Sequence, residues 1–73
     1  MMQLTAKQYN LLEHAITERK RIAVFRRGSE FVVLPERLML RAGRETIETV
    51  QPSTGDRMTL YIDEMDAFEV VGG

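Results

Sequence analysis

The chain has 73 residues, no cysteine, and a formal net charge of −1 from 10 Lys+Arg against 11 Asp+Glu. That length holds one small domain, and without cysteine a disulfide framework, a thiolate metal site and a thiol nucleophile are excluded. With 44% hydrophobic and 29% charged residues, it has the composition of a folded globular protein and not of a disordered or fibrous one.

The near-neutral total hides an asymmetry. Residues 1–29 carry Lys7, Arg19, Lys20, Arg21, Arg26 and Arg27 against Glu13 and Glu18, whereas residues 45–73 carry only Arg57 against Glu45, Glu48, Asp56, Asp63, Glu64, Asp66 and Glu69. Such a split marks either a charged surface for a partner or two halves that neutralise each other on folding. The longest uninterrupted apolar run, Phe31 to Leu34, is far short of the roughly 20 residues that span a bilayer. The start Met1-Met2-Gln3-Leu4 lacks a basic region followed by an apolar core, so no signal peptide and no membrane association are expected and the location is expected to be cytoplasmic.

The first element is a helix over about residues 6–20. Thr5-Ala6-Lys7-Gln8 fits a capping box, with Thr5 as N-cap and Gln8 reaching back. Leu4 and Tyr9 fit the accompanying hydrophobic staple. At 100° per residue, Tyr9, Leu12, Ala15 and Ile16 share one face, while Lys7, Asn10, Glu13, His14, Thr17 and Glu18 cover the other. Arg19 and Lys20 suit the negative end of the helix dipole.

From Arg21 the period changes to that of strands, expected over about residues 21–27, 30–41, 45–51, 57–63 and 67–71. Arg26-Arg27-Gly28-Ser29 reads as a turn into Glu30-Phe31-Val32-Val33-Leu34. Pro35 cannot donate to a ladder, so a bulge, bend or edge is expected there. Ala42-Gly43 reads as a second tight turn, and Pro52-Ser53-Thr54-Gly55-Asp56 as a loop. Met58, Leu60 and Ile62 alternate cleanly with Arg57, Thr59, Tyr61 and Asp63. Asp63-Glu64-Met65-Asp66 reads as one short turn, and Val71-Gly72-Gly73 is expected to fray. One helix and five short antiparallel strands give a mostly β fold. The expectation is a small five-stranded Sm-like or SH3-like barrel, plugged at one end by Tyr9, Leu12 and Ile16.

The order Tyr9-x-x-Leu12-Glu13-x-Ala15, Ile22-Ala23-Val24, a glycine turn at Gly28, a Glu45-led strand and Ile62-Asp63-x-Met65-x-x-Phe68 resembles the bacterial Rho-binding antiterminators. That resemblance implies a small cytoplasmic Sm-like barrel with an N-terminal helix that binds the RNA-loading surface of the termination factor Rho. The family's binding acids lie on and near the helix, where this chain has Glu13 and Glu18 beside Lys7 and Arg19-Lys20-Arg21. The stretch from Val33-Leu34-Pro35 to Ile62-Asp63 is also similar to the Sm-like core of WYL regulatory domains, with Thr46-Ile47-Glu48 where their signature falls.

No catalytic, cofactor-binding or metal-ligating set is expected. His14 is the only histidine and stands on the polar helix face, four residues before Glu18, as a solvated pair would. Asp63, Glu64 and Asp66 could offer oxygen ligands, but no glycine-bearing calcium loop surrounds them. Ser29 lacks a nucleophile elbow, and no glycine starts a phosphate-binding pattern. A non-enzymatic regulatory module that engages a protein partner is the first reading, with Asp63, Glu64 and Asp66 as the candidate acidic surface. The alternative is nucleic-acid binding through Lys20, Arg21, Arg26, Arg27, Arg37, Arg41 and Arg44. A sequence pI of about 5.8 and only five aromatics, three of which read as core, weigh against it. Self-assembly through strand edges is compatible with either.

Overall fold

The computed structural model describes residues 2–71. A helix, α1 (Ala6–Thr17), precedes β1 (Ile22–Arg26), β2 (Ser29–Arg41), β3 (Arg44–Val50), β4 (Arg57–Tyr61) and β5 (Ala67–Val70), with a 3₁₀ turn, Ile62–Glu64, before the last strand.

The capping box forms: the Gln8 N–H donates to Thr5 Oγ1 at 3.1 Å, and the Thr5 N–H to Gln8 Oε1 at 3.0 Å. The helix ends at Thr17, not at Lys20. Arg19 takes a left-handed conformation (φ 55°), and the N–H groups of Arg19 and Lys20 donate to the carbonyls of Ile16 and Ala15 at 3.3 and 2.8 Å. This is a Schellman termination with arginine where glycine is usual. It turns the chain within three residues so that Ile22 can enter the sheet, and it removes Arg19 and Lys20 from the last helical turn.

All pairings are antiparallel, in the order β4-β3-β2-β1-β5. Strand β2 is shared. Its first part, Ser29 to Val33, pairs with β1, and its second, Leu34 to Arg41, pairs with β3. The register shifts between Pro35 and Arg37, at the proline that forecast an irregularity, and such a bulge bends the strand. In both β-hairpin turns, Arg27-Gly28 and Ala42-Gly43, φ is 51° at the first residue and 77° at the glycine. Positive φ at both central positions marks the type I′ turn, whose twist matches that of the flanking strands.

The expected barrel does not close. β4 and β5 lie at opposite edges of the sheet with no ladder between them. The chain leaves β4 through the 3₁₀ turn and returns to pair with β1, through Phe25↔Ala67, Val24↔Phe68, Ala23↔Glu69 and Ile22↔Val70. That corner takes up Ile62 and Asp63, which alternation assigns to the fourth strand, leaving β4 five residues and β5 four. The Val71 N–H continues the β5 pairing by donating to the Arg21 carbonyl at 2.8 Å; the rest of the segment expected to fray, residues 72–73, lies outside the described residues.

The core comprises Met2, Leu12, Ala15, Ile22, Val24, Val33, Ile47, Leu60, Ile62 and Met65. Leu12 and Ala15 are the fully buried helix residues, while Tyr9 and Ile16 are half-buried at its margins. None of the five aromatics is fully buried; aliphatic and methionine side chains fill the interior. Two buried threonines meet the cost of desolvating a hydroxyl through main-chain carbonyls: Thr46 donates to Met39 O at 3.3 Å and Thr49 to Met58 O at 2.8 Å. Tyr9 donates its hydroxyl to Glu45, tying the helix to the start of β3. That bond, and burial against the carboxylate, hold the phenol above its ordinary pKa. Among the described residues, no helix is long and apolar enough to cross a membrane.

Candidate functional site

Part of the basic candidate surface meets the acidic one, through Arg26, Arg27 and Arg44. Arg44, at the start of β3, forks onto Asp63 (Nη2–Oδ1 2.7 Å, Nε–Oδ2 3.0 Å) and reaches Glu64 at 3.1 Å. Its guanidinium lies 4.0 Å over the Tyr61 ring, a cation–π stack. Arg26 approaches the same Glu64 at 3.8 Å and sits 5.5 Å from the Phe31 ring centroid. Asp66 accepts the backbone N–H of Arg27 at 2.9 Å, so its carboxylate secures the first β-hairpin turn. The Arg44 hydrogen bonds hold Asp63 below the ordinary carboxylate range, and Asp63 with Glu64 raises Arg44 further still.

On the outer face of β2, β3 and β4 a second network forms. Arg37 donates from Nε to Glu48 Oε1 at 3.0 Å, and Arg41 from Nη2 to Glu48 Oε2 at 3.3 Å. Arg57 approaches Glu36 at 3.6 Å. These residues, with Thr49, Met58 and Thr59, line a cleft of about 320 Å³. Arg57 was not singled out in the sequence, where it stands alone among acids; pairing of Val50 with Arg57 across β3 and β4 brings it here.

Glu48 is only 17% exposed at its side chain, and the Arg37 and then the Arg41 hydrogen bonds hold its carboxyl below its ordinary pKa. A carboxylate depressed in the folded state stabilises above its unfolded pKa, about 4.3, and loses that contribution as pH falls through the folded value. Glu48→Gln is therefore expected to lower the urea midpoint near neutral pH, with the deficit shrinking steadily below about pH 4. A deficit independent of pH would show that the charge on Glu48 does not matter.

Of the seven basic candidates, Arg26, Arg37, Arg41 and Arg44 are ion-paired, all to acids of the second half of the chain. Of the six basic residues of 1–29, only Arg26 pairs with an acid of 45–73 in the described structure. The other three paired arginines belong to the middle of the chain, so internal pairing accounts for only part of the charge asymmetry. Arg21 and Arg27 are exposed and Lys20 half-buried, and none of their side chains is ion-paired in the described structure. Glu13 and His14 lie exposed on α1, Glu18 at its C-cap and Ser29 at the start of β2. Among the described residues no three His, Cys, Asp or Glu side chains are grouped to hold a metal ion. Periodicity puts Leu11 at the margin of the apolar helix face and Leu40 in an alternation with Leu38, yet both are surface residues, 45% and 69% exposed.

The remaining feature is main-chain. β4 and β5 are edge strands, each with one neighbour, and an edge presents N–H and C=O groups to whatever strand can reach it. No protein-family model matches the chain, and no curated protein matches its sequence significantly.

Proposed function

We propose that the chain is a small non-enzymatic binding module that engages a protein partner, in the manner of the Rho-binding antiterminators it resembles. The supporting observation is the open sheet: β4 and β5 each offer an unshared edge, and another polypeptide is the ligand whose backbone complements such an edge. The resemblance nominates Rho as the first partner to test. The exposed Glu13 on the helix and Glu18 at its C-cap are the acids available there for a basic RNA-loading surface.

The test passes purified Rho, and separately a bacterial lysate, over the immobilised chain and maps amide exchange in any complex. Retention of Rho with slowed exchange in β4, β5 or the outer side of α1 supports the reading; if nothing is retained, it fails. Arg21 and Arg27, exposed and with side chains that form no ion pair among the described residues, keep nucleic acid as the second reading. Binding to a random RNA that weakens steeply with added salt would favour it, whereas flat or absent binding removes it. Self-assembly through the edges is checked by light scattering, where an 8.4 kDa particle excludes it.

A further inference from the structure

The cleft over β3 holds more hydrogen-bonding capacity than its ion pairs use. Arg37 and Arg41 reach it from β2 and Arg57 from β4, with Glu48 of β3 between them. A guanidinium has five N–H donors. Glu48 takes Nε of Arg37 and Nη2 of Arg41, which leaves the terminal nitrogens of Arg37 and the Nε and Nη1 of Arg41 unused by that carboxylate. Arg57 is 78% exposed and meets Glu36 only at 3.6 Å, beyond hydrogen-bond range. Three guanidiniums against the carboxylates of Glu36 and Glu48 leave a local excess of one positive charge. Thr59, the register partner of Glu48, adds an exposed hydroxyl.

We propose that this cleft binds a compact, multiply charged phosphate group: orthophosphate, pyrophosphate or the terminal phosphate of a nucleotide. Arg37 and Arg57 are the principal donors, with Arg41 and Thr59 alongside. The planar fork of a guanidinium matches two phosphate oxygens at once. Glu48 already holds two of the forks in place, so less side-chain freedom is lost when the anion arrives. The volume of about 320 Å³ suits a small ligand. A long polyanion is disfavoured, because Glu36 and Glu48 interrupt the positive surface and Arg26 and Arg44 beyond it are occupied by Glu64 and Asp63. Arg57 and Thr59 lie on the edge strand β4, but the site uses their side chains and not the edge's main-chain groups, so it stands or falls without a docked strand.

The test is a titration of the isotope-labelled chain followed by amide NMR, with inorganic pyrophosphate as the probe. Orthophosphate, ATP and a short RNA with hydroxyl ends form parallel arms. Saturable shifts at Glu48, Arg57 and Thr59 are expected, and Arg37→Gln and Arg57→Gln should each weaken binding about tenfold or more. Arg21→Gln makes the same charge change away from the cleft and should leave the affinity unaltered. The ATP and orthophosphate arms tell whether the phosphate is carried on a nucleotide or free. All three variants alter exposed side chains, and their spectra report directly that they remain folded. The proposal is overturned if no saturable shift appears up to about 10 mM, if Arg21→Gln weakens binding as much as the cleft variants, or if the hydroxyl-ended RNA binds the same residues as tightly as pyrophosphate.

Discussion

Leu12→Ala is expected to remove about 3–4 kcal/mol of stability, a large share of what a small domain possesses. Leu12 is fully buried, one of two such residues on α1, and it packs with the core residues of the strands. Removing its three outer carbons withdraws the apolar transfer term and leaves a void that the close-packed surroundings fill only partly. The sheet offers little to absorb the loss, because its inner side needs the helix as cover. Urea unfolding followed at both helix and sheet wavelengths should show one transition moved to lower denaturant. Leu11→Ala, at a position 45% exposed, should stay within about 0.5 kcal/mol of the parent. A helix that melts separately while the strands persist would mean that α1 is an accessory and not part of the core.

Met65→Ala carries the second-largest expected effect, about 2–4 kcal/mol. Met65 is fully buried just after the corner that joins β4 to β5. Its N–H donates to the Ile62 carbonyl at 3.1 Å, and the next N–H, of Asp66, donates to Phe25 O at 2.8 Å. The thioether side chain therefore anchors the point where the chain crosses the open side of the sheet. Its loss should speed amide exchange in β5 before any other strand, whereas Met65→Leu, which keeps the volume, should cost less than about 1.5 kcal/mol. Equal acceleration in all strands would show that the corner is not a local anchor.

The helix start, both glycine turns and the irregularity at Pro35 were legible because each rests on local chemistry: a threonine that caps, a glycine that takes positive φ, a proline that cannot donate. The helix end was not, because Arg19 occupies a left-handed position that sequence rules assign to glycine or asparagine. Met65 was unreadable for another reason. It sits in a run of acids, Asp63-Glu64-Met65-Asp66, that reads as a short turn, and only the corner's geometry turns it inward. The open edges depend on where β5 pairs, which strand patterning leaves undetermined. At the charged surface, residue types were readable and partners were not: Arg44 with Asp63 and Arg37 with Glu48 are separated by 19 and 11 residues, distances over which charge counts carry no contact information.

The sharing of β2 and the return of β5 to β1 also set an order of assembly. β1–β2, β2–β3 and β3–β4 are all sequence neighbours, so four strands can zip from short loop closures, which are fast. The fifth must bring Ala67 back to Phe25, a pairing distant in sequence that can form only once the other four strands have set β1 and the end of β4 in place. Completion of the domain is thus expected to wait on its last strand, and until that strand docks, β1 stands as an open template for any other chain nearby.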